Sequence, residues 1–308
     1  MSLRCGDWTC PGERWFVGAT LVVAQGGRKA RPYVTGVVMS EEQLVTYELE
    51  GEIALVGFNR PDKRNCFNPT VSAQLRDAVL RAGEEAKCGI IFGHGDNFCA
   101  GLDLRWAAEN WKEGRAQRLP FQFNRNTFQE VLARGNIPFV AALHGATLGG
   151  GLETAACAHI RVADETTFFG LPEGTRGIYI GGGGSVRVAR LLGFARMQDM
   201  MLTGRTLNPV EAERYGIVQY VVPKGQALAK AKELAAKIVK NAPLSNFAIV
   251  NSLPRLQDMS YDDGLYFERM VAEYTRTPES ITRLNRFLDK TDPRLRMPDQ
   301  PDTPGRDG

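Results

Sequence analysis

Apolar and polar residues alternate along VTYELEG and IALVGFN, on either side of Gly51-Glu52. This period of two predicts a pair of half-buried strands joined as a hairpin. From Pro69 the spacing changes. Val71, Leu75, Ala78, Val79 and Ala82 recur at three- and four-residue steps, which predicts a helix over 69–86 with Pro69 near its start. A short apolar run at 88–92 reads as a buried strand, 102–111 as helical, the polar KEGRAQRLP as a loop, and 123–134 as another helix. The run IPFVAAL at 137–143 is short and partly β-branched, as suits a buried strand. Repeated strand–turn–helix units predict an α/β architecture with much parallel pairing.

Beyond Gly184 the pattern is helical. Short helices are expected over 186–192, 195–202 and 209–215, divided by Gly193, Gly204 and Gly216. A longer one over 227–239 carries an apolar face at Leu228, Ala231, Leu234, Ala235 and Ile238. Two or three more follow between Pro243 and Leu288, with Pro254, Gly264 and Pro278 read as breaks. Exposed amphipathic helices at the end of a domain predict contact with another subunit.

Composition adds limits. At 308 residues and 43% hydrophobic, the chain can bury a large core. A net charge of +3 is an ordinary balance that suits an anionic substrate and gives no reason to expect nucleic acid. No stretch approaches ~20 apolar residues, so no membrane-spanning segment is expected. The six cysteines, Cys5, Cys10, Cys66, Cys88, Cys99 and Cys157, lack regular spacing. They read as reduced thiols and fit a cytoplasmic protein. The three histidines, His94, His144 and His159, lack metal-ligand spacing, so no metal is expected. Residues 1–38 are rich in Gly and Arg and show no amphipathic period, and read as an extension or leader ahead of Met39. The tail 296–308 is polar and Pro-rich, as in a disordered segment.

Candidate chemistry concentrates between Leu143 and Gly184. After the 137–143 run, Gly145 and Gly149-Gly150-Gly151 interrupt the chain and LETAACAH follows as a helix. Glycines opening a helix leave backbone N–H groups free, let a ligand approach the main chain, and favour negative charge. Glu153 lies just inside that helix, and Glu173 follows the strand-like TTFFG in the dipeptide Pro172-Glu173. Both have ordinary alternatives, as a helix N-terminal acid and as a turn residue. Their apolar neighbours, LETAACA and FFGLPE, argue otherwise, because burial raises a carboxyl pKa towards neutrality. An oxyanion-friendly turn beside two acids points to proton transfer next to a carbonyl. No G-x-S-x-G elbow is present, and the run Gly181 to Gly184 lacks the Lys-Ser/Thr of a phosphate loop.

Three further features carry a resemblance. Gly145, Gly149 to Gly151, Glu153, Cys157 and Ala163, then Phe169, Pro172 and Glu173, follow the order G-x-x-x-G-G-G-x-E…F-x-x-P-E. Upstream, 97–104 reads NFCAGLDL, and Asn59-Arg60-Pro61 precedes Asn65. In order and spacing this resembles the crotonase (enoyl-CoA hydratase/isomerase) superfamily over about 42–293. The resemblance implies a spiral of repeated ββα units over 39–225 and a helical oligomerisation region over 226–295, assembling as a trimer or a hexamer of two trimers. It implies an acyl-CoA thioester substrate with coenzyme A as part of it and no separate cofactor. The backbone N–H groups of Ala100 and Gly150 would form the oxyanion hole, with Glu153 and Glu173 as catalytic acids. Lys63, Arg64, Asp103 and Leu104 would contact coenzyme A, together with Phe287 and Lys290 reaching a neighbouring subunit's ligand.

Two glutamates lean towards hydration of a 2-enoyl-CoA. Isomerases often manage with one acid, and hydroxycinnamoyl-CoA hydratase-lyases usually lack the one at position 153. Dienoyl-CoA isomerases carry an additional Asp near position 181, where Gly181 stands here. The departures are Ile180-Gly181-Gly182-Gly183-Gly184-Ser185 after the second acid, Cys157-Ala158-His159 after the first, and the polar Arg176 and Tyr179. A non-catalytic RNA-binding role, resting on Lys230, Lys232, Lys237 and Lys240 of one helix, is the distant alternative.

Overall fold

The computed structural model describes residues 42–110 and 127–289. Its first elements are the expected hairpin, β1 (Val45–Glu50) and β2 (Ile53–Phe58), paired antiparallel with Gly51 in the left-handed region at φ 60°. Helix α1 (Pro69–Glu85) follows, capped by Asn68, whose side chain accepts from Val71 N–H. All five predicted face residues of α1 are buried.

From there the chain repeats one theme: a strand in a large sheet, a shorter strand in a second layer, then a helix. The large sheet takes β3 (Cys88–Gly93), β4 (Phe139–Leu143), β6 (Ile160–Asp164) and β9 (Tyr220–Val222), in the order β1-β2-β3-β4-β6-β9. Every pairing beyond the first hairpin in this sheet is parallel. The second layer holds β5 (Ala146–Leu148), β7 (Phe168–Gly170) and the antiparallel β8 (Thr206–Leu207). In the unit that contains β3, a single parallel bridge between Cys99 and Thr147 stands where the second-layer strand would be. Helices α2 (Leu104–Asn110), α3 (Phe128–Arg134), α4 (Gly150–Ala155) and α5 (Gly184–Leu192) follow the second-layer strands in turn.

The main core lies between the two layers, with Phe58, Phe98, Phe139, Phe169, Leu132 and Leu152 among its fully buried side chains. The large sheet's other face buries Leu55, Ile90, Val140 and Val162 against α8 (Ala227–Ile238), through Ala227, Ala231, Leu234 and Ala235. So the first helix of the 226–295 region completes the body. The helices after it, α9 (Pro243–Leu256), α10 (Tyr261–Tyr274) and α11 (Pro278–Leu288), keep large apolar side chains exposed.

Two predicted breaks are not breaks. Pro254 lies in the last turns of α9, where its missing N–H costs only one hydrogen bond near an end. Gly264 lies in the first turn of α10, whose start is fixed by Ser260: its hydroxyl accepts from Asp263 N–H at 3.2 Å. Pro278, in contrast, opens α11 as its first residue. Between β8 and α8 lie the expected short helix α7 (Pro209–Arg214) and, before β8, α6 (Phe194–Thr203). The readings of 1–38, of KEGRAQRLP and of the tail lie outside the described residues.

Candidate active site

The site forms where three parallel second-layer segments end side by side. Cys99 N–H donates to Ala146 O at 2.9 Å and Leu148 N–H to Cys99 O at 3.1 Å; Gly149 N–H donates to Gly170 O at 2.8 Å. These ladders bring together the turns at 100–102, 149–150 and 171–173. Glycine is required at the crossings. A Cβ on Gly101, at φ 91°, would lie 2.8 Å from Leu148 O and 3.0 Å from Gly150 N. One on Gly149, at φ 52°, would lie 2.7 Å from Glu173 Oε1.

A buried asparagine sets the first turn. Asn65, itself at φ 57°, accepts from Arg60 N–H at 2.9 Å and donates to His94 O at 2.9 Å and Asn97 O at 2.7 Å. Arg64 before it also adopts a left-handed conformation, φ 50°, and its carbonyl accepts from Ala100 N–H at 2.9 Å. This corrects the sequence expectation for Ala100: that N–H is already committed to the main chain and is not available to a substrate oxygen. Two residues on, the donor is free. Phe67 bridges Leu102 through Gly101 O and Asp103 N, so the Leu102 N–H points away from Phe67 and meets no acceptor among the described residues. Gly150, the first residue of α4, also gives its N–H to no described acceptor. It sits against Gly101, as the 3.0 Å approach shows. The F-C-A-G-L-D run marks the turn, but only the bridge shows which amide faces outward.

The two acids are buried, Glu153 to 5% exposure and Glu173 to 6%, and are treated differently. Glu153 rises from the first turn of α4, and its Oε1 accepts from Gly182 N–H at 2.6 Å and Gly184 N–H at 2.8 Å. Burial pushes its pKa up, the two N–H groups oppose that, Glu173 adds to it, and Arg187 opposes it. The glycine run that resembles no phosphate loop is therefore a cradle for a carboxylate. A Cβ on Gly184 would lie 2.6 Å from Glu153 Cγ and 2.5 Å from Ile180 Cδ1, so glycine is needed there. Glu173 begins a 3-10 turn, Gly174–Arg176, and its Oε2 is buried without a hydrogen-bond partner among the described residues. Burial pushes its pKa up, against its own backbone N–H and Arg176.

A cleft of about 250 Å³ opens over Leu102 and Glu173, lined also by Arg64, Cys66, Leu104 and Gly149 among others, while Gly150 and Glu153 lie behind its lining. Of the expected coenzyme A contacts, Arg64 and Leu104 face it. The side chain of Lys63 is 52% exposed beside Asp62. Asp103 is engaged elsewhere, paired with Arg60 at 3.2 Å and accepting from Trp106 N–H at 3.2 Å. Burial would raise its pKa, but the Trp106 and Arg105 N–H groups and Arg60 hold it below the ordinary value. Phe287 is exposed on α11, which contributes nothing to the cleft's lining, and Lys290 lies outside the described residues. Cys66 is half-buried at the cleft; Cys88, Cys99 and Cys157 are buried, and all four are free thiols.

Paired buried carboxylates beside two outward backbone donors, on an α/β spiral, define a protein built for proton transfer next to a carbonyl. Comparison with known proteins makes the class specific: residues 48–297 match the family model described as Enoyl-CoA hydratase/isomerase, and the chain belongs to that family. It is 32% identical over 251 residues to a short-chain-enoyl-CoA hydratase of Clostridium acetobutylicum, covering 80% of this chain and 95% of that one. It is 36% identical over 194 residues to the mevalonyl-coenzyme A hydratase of Aspergillus fumigatus, covering 62% and 70%. The crystal structure of an enoyl-CoA hydratase from Mycobacterium tuberculosis superposes with a TM-score of 0.72 at 30% identity, covering 82% of this chain and 98% of that one.

Proposed function

We propose that this chain is a hydro-lyase that adds water across the double bond of a 2-enoyl-CoA, with Glu153 as base and Glu173 as acid. The observation that carries this reading is the unequal support of the two carboxyls. Glu153 Oε1 takes two backbone N–H groups, which favours its ionised form, while Glu173 Oε2 is buried with no donor, which favours a proton on it. The N–H groups of Leu102 and Gly150 hold the thioester oxygen as negative charge develops there. Glu153 removes a proton from water as the hydroxyl adds to the β-carbon, and Glu173 delivers its proton to the α-carbon. Product release and proton exchange restore both acids. An isomerase needs one acid and no cradle for a second, so the 182–184 turn favours hydration.

Coenzyme A is part of the substrate, and no further cofactor enters these steps. The named relatives differ in the acyl group they take, so the acyl group is assigned by assay. The exposed apolar side chains on α10 and α11, among them Tyr266, Met270, Ile281, Leu284 and Phe287, support a homotrimer or a hexamer of two trimers. Four free thiols support the reducing cytoplasm as its compartment, and the ordinary net charge supports no nucleic-acid partner. A panel of 2-enoyl-, 3-enoyl- and hydroxycinnamoyl-CoA thioesters, with products read by mass, tests the reaction. Gain of one water supports hydration. Isomerisation without mass change, or loss of a fragment, replaces it.

A further inference from the structure

The cradle that holds Glu153 is itself held. Arg187, on α5, donates through Nη1 to Gly182 O at 3.0 Å, the residue whose N–H reaches Glu153 Oε1 at 2.6 Å. Its Nη2 is paired with Glu130 Oε1 on α3, and the side chains of this ion pair are only 16% and 20% exposed. Gly183, between the two donating glycines, adopts φ 89° and lies directly against the Arg187 guanidinium. So α3, α5 and the 182–184 turn are locked by one side chain that no catalytic step uses.

We infer that Arg187 is a positioning residue: braced by Glu130, it fixes the 182–184 turn on Glu153 and keeps that carboxylate ionised for its work as base. This rests on the reading of Glu153 as base. An arginine held by Gly182 O and Glu130 can do this without touching substrate. Its positive charge and the two N–H groups act on Glu153 in the same direction, against burial and the charge of Glu173. The other ionisable groups of this neighbourhood are Cys157, whose Sγ donates to Glu153 O at 3.2 Å, and, through Cys157, Glu130 and Arg161. Among the described contacts Glu130 reaches this turn through Arg187, and the experiment uses that.

The acid limb of kcat/KM reports the ionisation of the base in the free enzyme. It is measured for the full chain with a 2-enoyl thioester that turns over, in wild type, Arg187→Gln, Glu130→Gln, the double variant and Glu153→Gln. Arg187→Gln is expected to move the limb upward by about one pH unit, the low end for removing a nearby opposite charge. Glu130→Gln removes the charge that braces Arg187, and is expected to move the limb upward by less than Arg187→Gln does. The double variant should resemble Arg187→Gln alone. A uniform loss of kcat with the limb unmoved, or shifts of opposite sign in the two single variants, would overturn the inference and leave Arg187 a packing residue. If melting shows that Arg187→Gln does not fold, the sign of the Glu130→Gln shift decides alone: upward supports it, downward or none overturns it. Glu153→Gln separates this from the underlying reading. A wild-type acid limb that survives in Glu153→Gln means that Glu153 is not the base, whatever Arg187 does.

Discussion

At the scale of single residues, the account rests on carboxyl groups held where water is scarce. Both glutamates have folded pKa values raised above 4.5. A group raised in this way contributes fully to stability below its unfolded pKa, and that contribution is lost as pH rises through the folded value. Glu173 Oε2 is buried with no hydrogen-bond partner among the described residues, so the ionised group weighs against folding near neutral pH. Glu173→Gln should therefore raise Tm at pH 7 by a few °C, the effect of about 1 kcal/mol in a domain of this size. The gain should shrink as pH falls through the raised folded pKa towards 4.5 and be gone below it, and equal melting of the two proteins at pH 7 would argue that Glu173 is solvated. Both acids were legible in the sequence, because a glutamate inside LETAACA or FFGLPE is out of place without a task. Leu102 was not. Backbone donors carry no residue signature, and only the Phe67 bridge shows that the Leu102 amide faces outward while Ala100 is tied to Arg64.

At the scale of elements, the turns between strand and helix do the positioning, and their glycines answer close approaches. Gly184→Ala would drive a methyl group into Glu153 Cγ and Ile180 Cδ1. It should lower kcat by at least tenfold through a displaced Glu153 while leaving thioester affinity near wild type, since the donors at Leu102 and Gly150 stand on other turns. Unchanged kcat in a folded Gly184→Ala protein would show that the cradle is dispensable. The long periodic elements were readable: the hairpin over β1 and β2, the buried face of α1 and that of α8 fall where the pattern put them. The short second-layer strands were harder, since β5 and β7 span three residues each and β8 two, too few for a period to show. Pro254 and Gly264 misled because a single breaker near a helix end costs little once a cap such as Ser260 fixes the neighbouring start.

At the scale of the whole molecule, two halves behave differently. Up to α8 the apolar faces of the large sheet are covered, by the second layer on one side and by α8 on the other. In α10 and α11 they are not: Tyr261, Tyr266, Tyr274, Leu284 and Leu288 are each more than half exposed, and neither helix has a buried residue. Light scattering should therefore give three or six chains per particle. A monomer whose mass does not change with concentration would leave these faces without a role. The ββα order was suggested by resemblance and by the alternation of strand and helix, whereas the pairing of β6 with β9 across the whole of 165–219 is a tertiary fact no local pattern encodes.

The central claim is that two carboxyls divide the work, Glu153 taking a proton from water and Glu173 giving one to the α-carbon. Glutamine nearly matches glutamate in shape but cannot cycle a proton, so the substitution isolates acid–base work from packing. With a 2-enoyl-CoA, Glu153→Gln and Glu173→Gln should each lower kcat by about 10²–10⁴-fold, and the double variant should be little worse than either, as for groups that act as a unit. Full turnover in Glu153→Gln beside a dead Glu173→Gln would contradict this division of work and make this a one-acid enzyme.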